Sequence, residues 1–146
     1  MTFHFEIITP EKVVYKDEVE EVVLPTIGGQ IAILPNHVAL LTQVTSGEIT
    51  IKKGNKEHYL AVTGGFLEIS NNKVSILADY AVRSEEIEVK KAIEAQKRAE
   101  KIMKESSERV SEKDFALAES QLRRSILELN VASRKRKITT IPGTNL

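Results

Sequence analysis

The stretch Gly28-Gly29-Gln30-Ile31-Ala32-Ile33-Leu34-Pro35-Asn36-His37 reads as a strand delimited by turn chemistry. The paired glycines admit backbone angles that side chains forbid. Ile31 and Ile33 fall on one face of an extended segment, and Pro35 ends that segment by withholding an N–H. His37 is thereby expected at a turn. Such a segment is either a corner of a β-sandwich or a surface built to meet a partner, and the flanking sequence decides how much weight each reading takes.

Upstream, Phe3, Phe5 and Ile7 alternate with His4, Glu6 and Ile8 before Pro10. Val13-Val14-Tyr15 restarts extended chain, and valines among acids run from Glu18 to Leu24 before Pro25. Downstream, Val38 to Val44 is the next strand, Ser46-Gly47 a turn, and Ile49 and Ile51 share an inward face. Gly54-Asn55 turns the chain, and His58, Leu60 and Val62 then alternate with Tyr59 and Ala61. Gly64-Gly65 interrupts, Leu67 and Ile69 continue, Asn71-Asn72 turns, and Val74 to Ala78 closes the set. Roughly nine or ten short strands at near-regular spacing predict a sandwich or flattened barrel.

Near Ala81 the composition changes. Glycine and proline vanish until Pro142, and the apolar period lengthens to that of a helix. Ser84 is the expected N-cap, with Glu85, Glu86 and Glu88 in a first turn whose dipole favours acids. This helix is expected to run to about Ser106, with Val89, Ala92, Gln96, Ala99 and Met103 along its seam. A second helix starts near Ser111, where Ser111-Glu112-Lys113-Asp114 resembles a capping box. Its seam is Phe115, Ala118, Leu122, Ser125, Leu129 and Ala132. The spacing predicts an antiparallel hairpin on the order of 30 Å long. Small seam residues bring backbones close but bury little apolar area, so the hairpin needs a further surface, either its own sandwich or another protein, and with two such surfaces it can act as a switch.

Acids and bases are equal in number, 21 each, so net charge names no partner. Their distribution is uneven: seven Lys or Arg against ten Asp or Glu up to Ser84, then fourteen against eleven. The late basic cluster Arg134-Lys135-Arg136-Lys137 suits an acidic protein surface, and without interleaved aromatics nucleic acid is not the expected partner. Cysteine is absent, which excludes disulfides, thiolate metal sites and cysteine nucleophiles. His4, His37 and His58 lack ligand spacing, so no metal site is expected. Neither Gly28-Gly29 nor Gly64-Gly65 extends into a phosphate-binding or dinucleotide fingerprint, and there is no nucleophile elbow. No apolar run reaches the ~18 residues of a membrane span, and the N-terminus lacks signal-peptide character.

Taken together and in order, Ile8-Thr9-Pro10, Gly29 to His37, Gly64-Gly65-Phe66-Leu67-Glu68-Ile69 and Ile76-Leu77-Ala78-Asp79, followed by a helical hairpin, resemble the epsilon subunits of bacterial and plastid F-type ATP synthases. The resemblance spans about residues 2–137. It implies a β plus α fold: a ten-stranded β-sandwich over residues 1–84 that docks on gamma and the c-ring, and a regulatory antiparallel two-helix hairpin over 85–137. Residues 138–146 lie beyond the resemblance, and their Thr-rich, Pro-Gly composition predicts a disordered tail. It implies a non-catalytic central-stalk subunit coupling proton-driven c-ring rotation to ATP synthesis. The expected location is the cytoplasmic side of a bacterial inner or plasma membrane, or the stromal side of the thylakoid in a plastid. There the chain is peripheral and held only through the complex.

Carried onto this sequence, the family pattern places gamma contacts at Thr9 and His37 and a c-ring contact at Gln30, where many bacterial relatives have Glu. Inhibition of ATP hydrolysis by the catalytic alpha and beta subunits falls to Arg123 and Arg124, backed by Arg134, Lys135, Arg136 and Lys137. Some relatives bind ATP through a motif that here reads Ile87-Glu88-Val89-Lys90-Lys91-Ala92, with Arg98 and Arg124 as further members. Lys91 replaces a bidentate guanidinium by a point charge. Val82 and Glu128 stand where an acid and an arginine belong. No cofactor is therefore expected, and ATP binding is weak at most. An adaptor built from a sandwich and a hairpin, binding another acidic complex, is the alternative. A nucleotide hydrolase would need turnover by the isolated chain.

Overall fold

The computed structural model describes residues 1–105 and 111–139. It divides into two compact units, Met1–Ser84 and Glu85–Leu146. In the first, strict alternation makes β1 (Phe3–Ile8): Phe3, Phe5 and Ile7 are buried while the residues between them are partly open. Nine further strands follow: β2 (Val13–Val19), β3 (Glu21–Thr26), β4 (Gly29–Ile33), β5 (Leu40–Val44), β6 (Gly47–Lys53), β7 (Lys56–Val62), β8 (Gly65–Ser70), β9 (Lys73–Ala78) and β10 (Ala81–Arg83).

Their order is β10-β7-β6-β3-β5-β8-β9-β1-β2, with β4 on the other edge of β3. All pairings are antiparallel except β1 with β9, where Phe5 lies opposite Val74 and Ile7 opposite Ile76. β3 joins the two layers, pairing with β6 through Val22 and with β5 at Thr26. Pro25, which follows the valine-rich run Glu18 to Leu24 in the sequence, sits inside β3 between those two stretches of pairing, opposite Gln30 of β4. The inward phases of both layers make one core, including Phe5, Leu24, Ile33, Ile51, Leu60, Leu67 and Ile76, none more than 1% exposed. Arg83 draws the far ends together: its Nε donates to the Val14 carbonyl at 2.9 Å, and its guanidinium lies 5.0 Å from the centre of the Tyr15 ring.

The second unit opens later than the caps predict. Ser84–Glu86 form a 3-10 turn, and α1 (Val89–Lys104) starts after Glu88, whose side chain makes no capping bond. Ser84 directly follows strand residue Arg83, which still pairs with Leu60, and its hydroxyl is buried without a hydrogen-bond partner instead of capping a helix. α2 (Glu112–Thr139) does start on the expected signal: Ser111 Oγ accepts from the Asp114 amide at 3.1 Å. At 28 residues α2 is about 42 Å long against about 24 Å for α1. The helix runs to Thr139, past Ile138 where a tail was expected, and the rest of that tail lies outside the described residues.

Ala92 and Ala99 of α1, and Ala118, Ser125 and Ala132 of α2, are buried at intervals of seven residues. This is a seam of small side chains, one every two turns. Ser125 satisfies its hydroxyl by donating to the Gln121 carbonyl at 2.8 Å. Phe115, placed on the same seam by its spacing, is 40% exposed.

Candidate partner-docking site

The register assembles one outward face on β5, β8, β9, β1 and β2. Its first row is Gln43, Phe66, Leu77, Ile8 and Val13, each directly opposite the next. Phe66, Leu77 and Val13 are each more than half exposed. The second row is Leu41, Glu68, Ser75, Glu6 and Lys16, with Leu41 also open, and the third is Ser70, Lys73, His4 and Glu18. The face thus grades from an apolar row to charged ones. Outward-pointing aromatic and branched side chains in adjacent strands form a contiguous apolar patch of the kind that marks an interaction site.

The charged rows are internally organised. Glu6 accepts a hydrogen bond from the Ser75 hydroxyl at 2.9 Å and lies 3.5 Å from Lys73 Nζ. The Ser75 hydrogen bond foremost, with Lys73 and His4 adding to it against partial burial, holds the Glu6 carboxyl below its ordinary value of 4.5. His4 donates from Nδ1 to Glu18 at 3.2 Å, and its Nε2 is 3.8 Å from Glu6. Elsewhere Lys53, bonded to Asp17, holds that carboxyl below its usual range and ties β6 to β2.

Thr9 and His37 stand at opposite ends of this face. Thr9 follows Ile8 at the apolar end, where its hydroxyl accepts from the Lys12 amide at 3.3 Å and donates to the Lys12 carbonyl at 3.1 Å, shaping the β1–β2 turn. His37 belongs to the loop entering β5 at the charged end. Its Nδ1 donates to the Val38 carbonyl at 2.8 Å, an acceptor only, which leaves Nε2 as the ring nitrogen not used in that bond. The neighbouring Val38 is 76% exposed.

Gln30 is not on this face. It is exposed on β4, beside the tight turn Ile27-Gly28, where the Thr26 hydroxyl donates to the Gly29 carbonyl at 2.6 Å and Gly29 takes a φ of +114°. The sequence stretch that links Gln30 to His37 therefore separates them, one at each end of β4.

In the hairpin, Arg123 pairs with Glu119, and Arg124 Nε lies 3.1 Å from Glu128. Arg134 is exposed, and the side chains of Lys135, Arg136 and Lys137 lie outside the described residues. Of the nucleotide-motif positions, Glu88 and Lys91 pair with each other at 2.9 Å, Ile87 is partly buried, Ala92 is turned into the helix seam, and Arg98 is exposed. Glu128, at the position where the resemblance implied an arginine, pairs with Arg124. Among the described residues no group of three or more His, Asp or Glu is placed to hold a metal, and no helix is long and apolar enough to cross a membrane.

Residues 2–84 match the family model described as ATP synthase, Delta/Epsilon chain, beta-sandwich domain, and residues 85–133 match that of its long alpha-helix domain. The chain belongs to the ATP synthase delta/epsilon chain family. An ATP synthase epsilon chain from Dehalococcoides mccartyi is 45% identical over 132 residues, covering 90% of this chain and 93% of that protein. One from Moorella thermoacetica is 42% identical, with 90% and 96% covered. In fold the chain resembles one in the cryo-EM structure of the Euglena gracilis mitochondrial ATP synthase OSCP/F1/c-ring, with a TM-score of 0.72 at 20% identity over 91% of this chain and 81% of that one. As a member of the epsilon-chain group it is a non-catalytic subunit of the ATP synthase.

Sequence reasoning alone missed Phe66, Leu77, Leu41 and Val13 as functional candidates. Their signal was available as apolar residues in the outward phase of alternating strands.

Proposed function

We propose that the outward face bracketed by Thr9 and His37 docks on the gamma subunit, and that the turn carrying Gln30 meets the c-ring, so that the sandwich couples rotation of the ring to the catalytic head. The observation that carries this reading is the exposed apolar row Phe66, Leu77 and Val13 lying between two positions that the family pattern assigns to one partner. Gln30 offers hydrogen bonds without charge, so its contact with the ring does not depend on a salt bridge. The complex sits on the cytoplasmic side of a bacterial membrane, with this subunit peripheral to it.

The hairpin regulates hydrolysis by presenting Arg123, Arg124, Arg134 and the following basic residues to the alpha and beta subunits. Exposed pairs such as Arg123–Glu119 contribute only ~0–1 kcal/mol, so exchanging them for carboxylates on a partner is inexpensive. Truncation after Ser84 in the assembled enzyme tests the regulatory part: faster ATP hydrolysis with assembly intact is expected. Unchanged hydrolysis would remove inhibition from the reading and leave coupling in place.

A further inference from the structure

The β8–β9 turn holds Asn72 at a φ of +60°, a left-handed conformation that Asn tolerates better than most residues. From there it makes three bonds to segments far away in sequence. Its carbonyl accepts from the His4 amide at 3.2 Å, its Nδ2 donates to the Thr2 carbonyl at 3.0 Å, and its Oδ1 accepts from the Asn36 amide at 2.8 Å. The two side-chain bonds have opposite polarity, so they fix the orientation of the amide and use both of its ends.

Asn36 is itself left-handed, at +62°, and immediately precedes His37 and the exposed Val38. In the loop between β4 and β5, Leu34 and Val38 are both more than half exposed, and Pro35 supplies no amide. We infer that Asn72 is a positioning residue for the docking face, fixing the Asn36–Val38 loop against the N-terminal strand so that His37 Nε2 and the Val38 side chain form the far edge of that face. The partner it serves presents an apolar surface with a hydrogen-bonding group opposite His37. This inference rests on the proposed gamma docking.

Two variants separate the bonds. Asn72→Gly keeps the left-handed backbone and loses both side-chain bonds. Asn72→Asp keeps an oxygen for the Asn36 amide and loses only the donation to Thr2. In the full-length chain, hydrogen exchange at the Asn36 amide should accelerate about tenfold in Asn72→Gly and stay within about threefold of the parent in Asn72→Asp. Affinity for the purified gamma subunit of the same synthase should follow the same pattern, while the melting temperature of both variants stays near that of the parent. Parental affinity in Asn72→Gly despite faster exchange, or unchanged exchange, would overturn the positioning role. Leu41→Asp on the neighbouring face serves as the control. If it binds gamma as the parent does, the docking reading itself has failed, whatever the Asn72 variants show about the loop.

Discussion

Phe66 and Leu67 are adjacent on β8 and point in opposite directions, so truncating each to alanine should separate docking from stability. Leu67 is fully buried, and Leu67→Ala should cost about 2–5 kcal/mol of folding free energy through lost transfer and a residual cavity. Complete burial of a Phe is worth ~1.5–3 kcal/mol; with 58% of Phe66 still open, about 0.9–1.7 kcal/mol remains to be gained on docking. At ~1.4 kcal/mol per tenfold, Phe66→Ala should therefore weaken gamma binding about 4- to 16-fold. The portion already covered limits its effect on folding to roughly 1 kcal/mol. Urea denaturation of the isolated chain measures the first quantity, and calorimetric titration with gamma the second. Equal destabilisation by the two variants, or parental gamma affinity in Phe66→Ala, would refute the reasoning.

At Gly65, φ is +142° and an added Cβ would lie 2.1 Å from the Leu77 carbonyl oxygen, so Gly65→Ala should destabilise by more than about 3 kcal/mol or prevent folding, read by circular dichroism and denaturation. Glu6 and Asp17 have folded carboxyls held below their ordinary 4.5 and 3.8. Their stabilisation is therefore complete above those values and lost as pH falls through the lower folded ones. The urea midpoint should decline as the solution is acidified below pH 4.5, and less steeply in Ser75→Ala. With Glu88 and Lys91 paired to each other and Arg124 engaged by Glu128, calorimetric titration with ATP should give no saturable binding up to about 1 mM; a micromolar constant would contradict it.

The core was legible because alternation is a local property: Phe3, Phe5 and Ile7 declare an inward phase within six residues. The capping signal at Ser111 was legible for the same reason. At Ser84 the same chemistry misled, because strand pairing of Arg83 with Leu60 outweighs a weak local preference for starting a helix there. The proposed docking face was hidden differently. Phe66 sits in the run Gly65-Phe66-Leu67 and Leu77 in Ile76-Leu77-Ala78, where apolar neighbours mask the phase. Bringing them beside Ile8 requires the parallel pairing of β1 with β9, between segments about seventy residues apart, which no local pattern encodes.

That parallel pairing also explains why the face is graded. Because β1 and β9 run in the same direction, the end of the face near Thr9 carries Ile8 and Leu77 together, while the end near Asn72 carries His4 and Lys73 together. An apolar row alone supplies affinity but tolerates sliding, since burial is non-directional. The rows holding Glu6, Ser75, Lys73, His4 and Glu18 are directional, and a displaced partner would leave their charges mismatched. In the proposed coupling role the subunit must dock in one orientation. In the proposed complex the apolar row supplies most of the binding, and the charged rows, with the His37 loop anchored by Asn72, fix the register. Exchanging the signs at Glu6 and Lys73 should therefore impair coupling more than it impairs affinity.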